Sequence, residues 1–321
     1  MSARIATARR ARRAQEVRRR AAPGRRLRPR AGEHAAGWAF VTPAVAVIVL
    51  FGVAPIIWSA LMSFQRNDLF SPSTPFVGLA NYRQMVHDPV IAQAIGHTLV
   101  YTALFVPGTM LVGLFLAVAM NRKLRFISVY RTAAYATMAI STISEALIFI
   151  WLFDPSYGIV NYLFNLVGIP QQQFLSSTTE ALYVIVIMTI WGWTGFAVVI
   201  YLAALQGIPQ VLTEAAAIDG AGRWATFRRI TLPLLSPASL FLLVWLTINA
   251  LQLFDEVYLS TSGGPLNSTT VLVYYLYEQA FGGANFNFGY ASAIAYFLFV
   301  IILVVTAIQF RVGRRLVHYR S

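Results

Sequence analysis

Side chains able to carry acid–base, metal or nucleophilic chemistry are sparse in this chain and poorly spaced for it. The 321 residues include no cysteine, which excludes thiolate metal sites and a cysteine nucleophile. The four histidines are scattered, without the spacing of metal ligands. The single lysine, Lys123, does not belong to a phosphate-binding glycine loop, and neither G-x-S-x-G nor H-E-x-x-H occurs. We therefore expect no catalytic residue, no metal site and no cofactor, and a chain that does not hydrolyse ATP unaided.

The most conspicuous polar stretch is Glu214–Pro237, EAAAIDGAGRWATFRRITLPLLSP. Its alanine-rich start predicts a helix up to Ile218, and Asp219-Gly220 then predicts a turn, because glycine enters the left-handed conformation without steric cost. A second short helix is expected from about Arg223 to Thr231, with Pro233 stopping it. We call residues 206–237 the elbow; such a helix–glycine–helix segment suits contact with another protein.

The elements around the elbow are long and apolar. The chain is 58% hydrophobic and 12% charged, whereas soluble domains carry roughly 25% charged residues. Apolar runs long enough to cross a bilayer predict an all-α, polytopic membrane protein with six transmembrane helices. The predicted spans are about Trp38–Phe64, Thr98–Met120, Phe126–Phe153, Leu182–Leu205, Ala238–Phe254 and Ala291–Phe310.

The basic residues predict how the chain is oriented. Twelve of the 25 lie between Arg4 and Arg30, in an arm over residues 1–36 that is expected to be disordered. Of the rest, only Arg66 and Arg83 fall on the side opposite the two termini. The positive-inside rule then places both termini, the elbow and a basic tail over 311–321 in the cytoplasm. For the arm, a topology-setting tail that touches membrane lipid is favoured over a nucleic-acid arm, because no aromatic residue precedes Trp38 to stack on a base. A twin-arginine signal is excluded, since the next apolar run is far longer than about 7–15 residues.

The elbow sequence resembles the EAA loop of the membrane permease subunits of binding-protein-dependent ABC importers. Four further stretches resemble the sugar-permease branch, of the maltose and glycerol-3-phosphate type: FVGLANYR (76–83), YRTAAY (130–135), IWLFDPSYGIVNYLF (150–164) and STSGGPLNSTTVLVYYLYEQAF (260–281). The resemblance covers nearly everything from Trp38 to Arg311. It implies a transporter built from two homologous permeases, two ATPase subunits and an extracytoplasmic solute-binding protein in a bacterial cell membrane, with no nucleic acid involved.

The same resemblance implies roles for residues of the elbow, which in that family is the coupling helix that sits in a groove of the ATPase. The small alanines permit close approach to the partner, the glycine supplies the bend, and the carboxylates meet basic groups. For the arginines, simple topology signalling is an equal alternative. The expected coupling residues are Glu214, Ala215, Ala216, Asp219, Gly220, Ala221, Arg223, Phe227 and Pro233.

Polar residues inside or beside the spans are candidates for the solute pathway. Glu145 stands in the third predicted span, where an ionisable side chain costs at least about 2.5–3.5 kcal/mol near the bilayer centre, so it should face a cavity or a partner. It departs from the family pattern, as does Thr137, where a proline is common. A bond between subunits and a satisfied helix–helix hydrogen bond are its alternatives. Asn249, Gln252 and Asp255 complete the candidate set, with aromatic neighbours Trp191, Trp193 and Phe254. For Asp255 a place at the membrane boundary is the open alternative, and for Glu256 that place is favoured.

The expected function is a permease for a carbohydrate or related polyol that couples to ATPase subunits through the elbow. A secondary transporter or channel that works without an ATPase is the alternative, and it predicts inverted repeats and ion-coupling acids near the midplane. A membrane-anchored nucleic-acid-binding protein would leave the six predicted spans unexplained.

Overall fold

The computed structural model describes residues 31–67, 73–121, 125–282 and 286–316. Most of the predicted arm, the basic residues Arg122 and Lys123, and the end of the tail therefore lie outside the described residues. Within the described part, the first helix begins at Ala31, before the predicted end of the arm. The chain divides into two compact units between Ile57 and Trp58.

The described residues fold into helices joined by turns, and an isolated bridge pairs Gln65 with Phe76. The α-helices are α1 (Ala31–Ile48), α2 (Ala54–Met62), α3 (Ala80–His87), α4 (Pro89–Met120), α5 (Ile127–Ala136), α6 (Thr142–Leu152), α7 (Ile159–Leu166), α8 (Ala181–Gln206), α9 (Gln210–Ile218), α10 (Arg223–Thr226), α11 (Leu232–Leu234), α12 (Ser236–Leu251), α13 (Asp255–Ser260), α14 (Leu272–Tyr277) and α15 (Phe288–Leu316). Turns of π-helix cover Val49–Val53, Phe227–Thr231 and Glu278–Gly282, and turns of 3-10 helix cover Thr137–Ala139 and Phe174–Ser176.

Four helical stretches of the described residues are long and apolar enough to cross a membrane: Trp38–Met62, Pro89–Met120, Ala181–Gln206 and Phe288–Arg314. Two bent pairs, Ile127–Ala139 with Thr142–Leu152 and Arg223–Leu234 with Ser236–Leu251, raise the number to six if each pair is one span. Polytopic helical architecture is thereby confirmed.

The third predicted span is not one continuous helix, which corrects the sequence-based expectation. The chain turns by 102° between the 3-10 turn that ends at Ala139 and the start of α6. Ile140 has an extended backbone, and the Ser141 hydroxyl then accepts a hydrogen bond from the Ser144 amide at 3.3 Å. A serine in this position satisfies an otherwise unpaired amide at a helix start, so the chain restarts its helix in a new direction.

The core of the second unit lies where α4, α8 and α12 pack together. Its buried side chains include Phe105, Met188 and Leu246. The approach of α4 to α8 depends on small residues, because a Cβ at Gly113 would lie 2.5 Å from the Cβ of Ala197. Close packing of small residues is a main source of helix association in membranes. Lipid tails are as apolar as the helix surfaces, so the hydrophobic effect does not drive the helices together there.

A half-buried carboxylate ties α4 to the segment that follows α13. Asp88 precedes α4, and its Oδ2 accepts hydrogen bonds from the hydroxyls of Tyr275 and Tyr290, each at 2.7 Å. Its Oδ1 accepts one from the Val90 amide at 2.9 Å. Burial would raise the pKa of Asp88, but these hydrogen bonds outweigh it and hold the pKa below its ordinary value. The ionised form of Asp88 is therefore the one that stabilises this junction.

Candidate functional site

The first half of the elbow ends in a compact glycine turn. The Ala221 amide donates to the Ala216 carbonyl at 2.9 Å, and the Gly220 amide donates to the Ala217 carbonyl at 3.1 Å. This pair of bonds, with a left-handed residue between them, is the Schellman motif that closes many helices. Gly220 has φ +78°, and a Cβ there would meet no atom within 4 Å. Backbone conformation, rather than lack of space, is what calls for glycine.

The second half of the elbow is helical beyond the point expected. Pro233 does not stop it: α10 passes through the π-helical turn Phe227–Thr231 into α11, and the bend of 61° follows at Leu235. The wide turn explains the difference. The Leu232 amide donates to the Phe227 carbonyl five residues back, and Pro233, at the first turn of α11, lies where a missing amide is tolerated.

The surface of the elbow combines exposed apolar and acidic side chains. Ile218 is 87% exposed and Trp224 is 71% exposed. Trp224 stacks on Phe227, with 5.7 Å between the ring centroids. Glu214 and Asp219 are also exposed. The other predicted coupling residues divide between the exposed Ala215, Gly220 and Arg223, the half-buried Ala221, Phe227 and Pro233, and the buried Ala216.

All four predicted pathway residues lie around one cavity of about 460 Å³. Glu145 reaches it from α6, Asn249 from α12, Gln252 from the turn that follows α12, and Asp255 from the first position of α13. The predicted neighbours Trp193 and Phe254 line the same cavity, as does Glu256, which was expected at the membrane boundary. Trp191 is not among the lining residues; it packs on Phe149, with 5.8 Å between the ring centroids.

Glu145 is the most enclosed of the acidic lining residues. It is only 8% exposed, and its Oε1 has no hydrogen-bond partner among the described residues. Gly192 on α8 makes room for the carboxylate, since a Cβ there would lie 2.5 Å from Oε1 and 2.6 Å from Oε2. A helix–helix hydrogen bond to Oε1, one of the alternatives considered from the sequence, is therefore not seen within the described part of the chain.

The bend between α5 and α6 supplies lining residues that the sequence did not indicate. Thr137 and Thr142, on either side of the bend, both line the cavity. A second glycine of α8 permits the approach of Thr137: a Cβ at Gly195 would lie 2.6 Å from the Thr137 hydroxyl. Gly192 and Gly195 are three residues apart and so share a helix face. That glycine pair in WGWTG was the available signal for a close neighbour.

The elbow and the cavity are joined by two helices. α8 supplies Gly192, Trp193 and Phe196 to the cavity and ends at Gln206, the first residue of the elbow. α12 leaves the elbow at Ser236 and supplies Asn249 to the same cavity. Because helices are stiff, a displacement of the elbow would be transmitted along both to the cavity walls.

Comparison with known proteins identifies a family. Residues 109–318 match the family model described as "Binding-protein-dependent transport system inner membrane component". The chain is 37% identical over 268 residues to the "Probable ABC transporter permease protein PH1215" of Pyrococcus horikoshii, covering 83% of this chain and 91% of that protein. It is 35% identical over 283 residues to the "Lactose transport system permease protein LacF" of Rhizobium radiobacter, covering 87% and 94%.

A solved structure supports the same assignment. A chain from the crystal structure of a bacterial ABC transporter involved in the import of the acidic polysaccharide alginate superposes with a TM-score of 0.77. Its sequence is 26% identical, and the match covers 88% of this chain and 96% of that one.

Proposed function

We propose that this chain, which belongs to the family of binding-protein-dependent transport system inner membrane components, imports a carbohydrate or related polyol as one permease of an ATP-driven transporter. The carbohydrate class is supported by the relatives, one named for lactose transport and one described as importing alginate. The 460 Å³ cavity lined by polar and aromatic side chains also suits a sugar-sized solute.

The transporter we propose contains a second, homologous permease, two ATPase subunits and an extracytoplasmic solute-binding protein. ATP hydrolysis belongs to the partner subunits. The positive-inside bias of the sequence supports an orientation with both termini and the elbow in the cytoplasm. The elbow would then face the ATPase, with membrane lipid around the apolar helices.

The observation that carries this proposal is the exposed elbow between the two cavity-lining helices α8 and α12. Ile218 and Trp224 would fill an apolar groove of the ATPase, while Glu214 and Asp219 would pair with its basic groups. Closure of the ATPase pair on ATP would displace the elbow, and α8 and α12 would change the shape of the cavity. Access would thereby alternate between the two sides of the membrane, with Glu145, Asn249, Gln252 and Asp255 along the pathway.

Asp219→Arg tests the coupling role of the elbow. Asp219 is exposed at the end of α9, so the substitution reverses a charge without disturbing the core. In proteoliposomes holding the complete importer, we expect ATP-driven uptake of its sugar to fall at least about tenfold, because a buried charge pair across an interface would become a like-charge contact. Membrane levels of the variant should match the wild type. Unchanged uptake, or uptake by this chain without an ATPase, would favour a secondary transporter or channel instead.

A further inference from the structure

The cavity carries acidic groups from two different elements. Glu145 projects from α6, and Asp255 and Glu256 begin α13. No lysine, arginine or histidine occurs among the sixteen described residues that line it. A cleft lined by charges of one sign with low-dielectric walls focuses its electrostatic potential, so this cavity would attract cations and repel anions when its carboxylates are ionised.

The burial of Glu145 without a partner for Oε1 among the described residues is a second sign that a ligand belongs here. The residue is more than nine-tenths buried, and its Oε1 has no partner within the described part of the chain. Gly192 leaves just enough room for the carboxylate beside α8. A buried acceptor without a donor costs free energy, and the cost is larger if the acceptor is charged. A donor from the solute would remove that cost once the side chain turns Oε1 toward the cavity, because Oε1 has almost no accessible surface in this structure.

We infer that the cavity takes a neutral or amine-bearing carbohydrate and rejects an acidic one, with Glu145 accepting a hydrogen bond from a hydroxyl or ammonium group of the solute. This rests on the proposed role of the cavity as the solute pathway. An ionised carboxylate only accepts hydrogen bonds, so a hydroxyl or an ammonium group of the solute would satisfy the Glu145 acceptor. A uronate or phosphate group would instead bring a second negative charge beside it. The rings of Trp193 and Phe196 offer apolar faces to the sugar. The inference separates this chain from its relative described as importing an acidic polysaccharide.

The chain has no cysteine, so one introduced cysteine can report the electrostatic potential of the cavity without knowledge of the sugar. Gln252→Cys would place one thiol in the cavity, and Val167→Cys would place one at a position 72% exposed outside it. Each would be modified, in the complete importer, with a cationic trimethylammonium and an anionic sulfonate methanethiosulfonate. We expect the cation-to-anion rate ratio to be at least about fivefold higher at residue 252, because nearby charges are weakly screened in a cleft. Equal ratios at the two positions would overturn the inference.

Glu145→Gln, made on the Gln252→Cys background, should lower that ratio at least about twofold, since it removes one of the charges. Asp154→Asn is the matched control. Asp154 is not a lining residue of the cavity, and its Oδ1, which accepts from the Ser156 amide at 2.7 Å, is kept in asparagine. This control should leave the ratio unchanged; a ratio that falls equally in both variants would contradict a local effect of Glu145.

Protection of the same thiol distinguishes the two donor groups. Lactose, chitosan disaccharide and an alginate disaccharide would be tested for slowing modification of Gln252→Cys by neutral methyl methanethiosulfonate. Protection by lactose indicates a hydroxyl donor, and stronger protection by the chitosan disaccharide indicates an ammonium donor; either should weaken in Glu145→Gln. Equal protection by the alginate disaccharide, or none by the other two, would overturn the inference. Neither measurement needs ATP, so failure here is distinct from failure of coupling at the elbow.

Discussion

Gly220 and Gly222 lie two residues apart in the elbow, and their backbone conformations differ. Both have open space where a Cβ would project, but Gly220 has φ +78° and Gly222 has φ −68°. Alanine in the left-handed conformation costs roughly 1–2 kcal/mol, whereas at a negative φ it does not. We therefore expect Gly220→Ala to reduce ATP-driven uptake severalfold at a normal membrane level, because the Schellman turn that aims α9 at its partner is strained.

Gly222→Ala is the matched control and should transport like the wild type. Gly220→Asn should retain more uptake than Gly220→Ala, since asparagine tolerates the left-handed conformation. Equal losses from the alanine variants at both positions would show that φ at residue 220 is not what matters.

Gly192 allows a direct test of how the Glu145 carboxylate is accommodated. The Cβ of Gly192→Ala would lie 2.5 Å from Oε1, so either α6 or the carboxylate must move. We expect a lower unfolding temperature in detergent and lower uptake, since overpacking costs typically 1–3 kcal/mol. Glu145→Ala should relieve the thermal loss in the double variant. Gly96→Ala, on α4 with open space around it, should lower neither quantity.

At the scale of elements, Asp88 fastens the start of α4 to α14 and α15. Its pKa is held below the ordinary value near 3.8 by Tyr275 and Tyr290. A depressed pKa contributes stability that is present above the unfolded-state pKa and is lost as pH falls through the folded-state pKa. The unfolding temperature of the wild type should therefore fall as the pH drops below about 4. The unfolding temperature of Asp88→Asn should fall less over the same pH range. The check is thermal unfolding in detergent between neutral pH and pH 3; parallel curves for the two proteins would contradict it.

The elbow and the third predicted span show which features of the helices could be predicted from the sequence and which could not. The turn after Ile218 followed from Gly220, since a single residue dictates that local conformation. The bend at Ile140-Ser141 did not, because it contains neither glycine nor proline, and Ser141 and Thr142 are residue types that also occur inside membrane helices. Pro233 was misjudged as a helix stop, since a π-helical turn before it could not be foreseen from local propensity.

The cavity shared by these residues could not be predicted from local sequence patterns, because it is formed by the packing of several helices. Glu145 was recognisable as a pathway candidate because an ionisable group inside an apolar run is costly. Its meeting with Asn249 and Asp255 requires the contacts of α6, α8 and α12, which no single segment encodes.

At the scale of the whole molecule, the proposed function gives this one chain both a lever and a pathway. The elbow lies between α8 and α12, and both helices line the cavity that holds Glu145 and Asn249. Under the proposed function, energy released by a partner at the elbow would have a direct mechanical route to the cavity. The chain needs no chemistry of its own for this role.

Retention of an ATPase subunit through the elbow tests this account most directly. The complete importer would be extracted in mild detergent and captured by a tag on this chain, and the ATPase in the eluate would be quantified for wild type, Asp219→Arg and Gly222→Ala. We expect the ATPase with the wild type and Gly222→Ala, and a loss of at least about tenfold with Asp219→Arg, because its exposed carboxylate would be replaced by a like charge at the interface. Undiminished capture of the ATPase by Asp219→Arg would contradict the assignment of the elbow as the coupling surface.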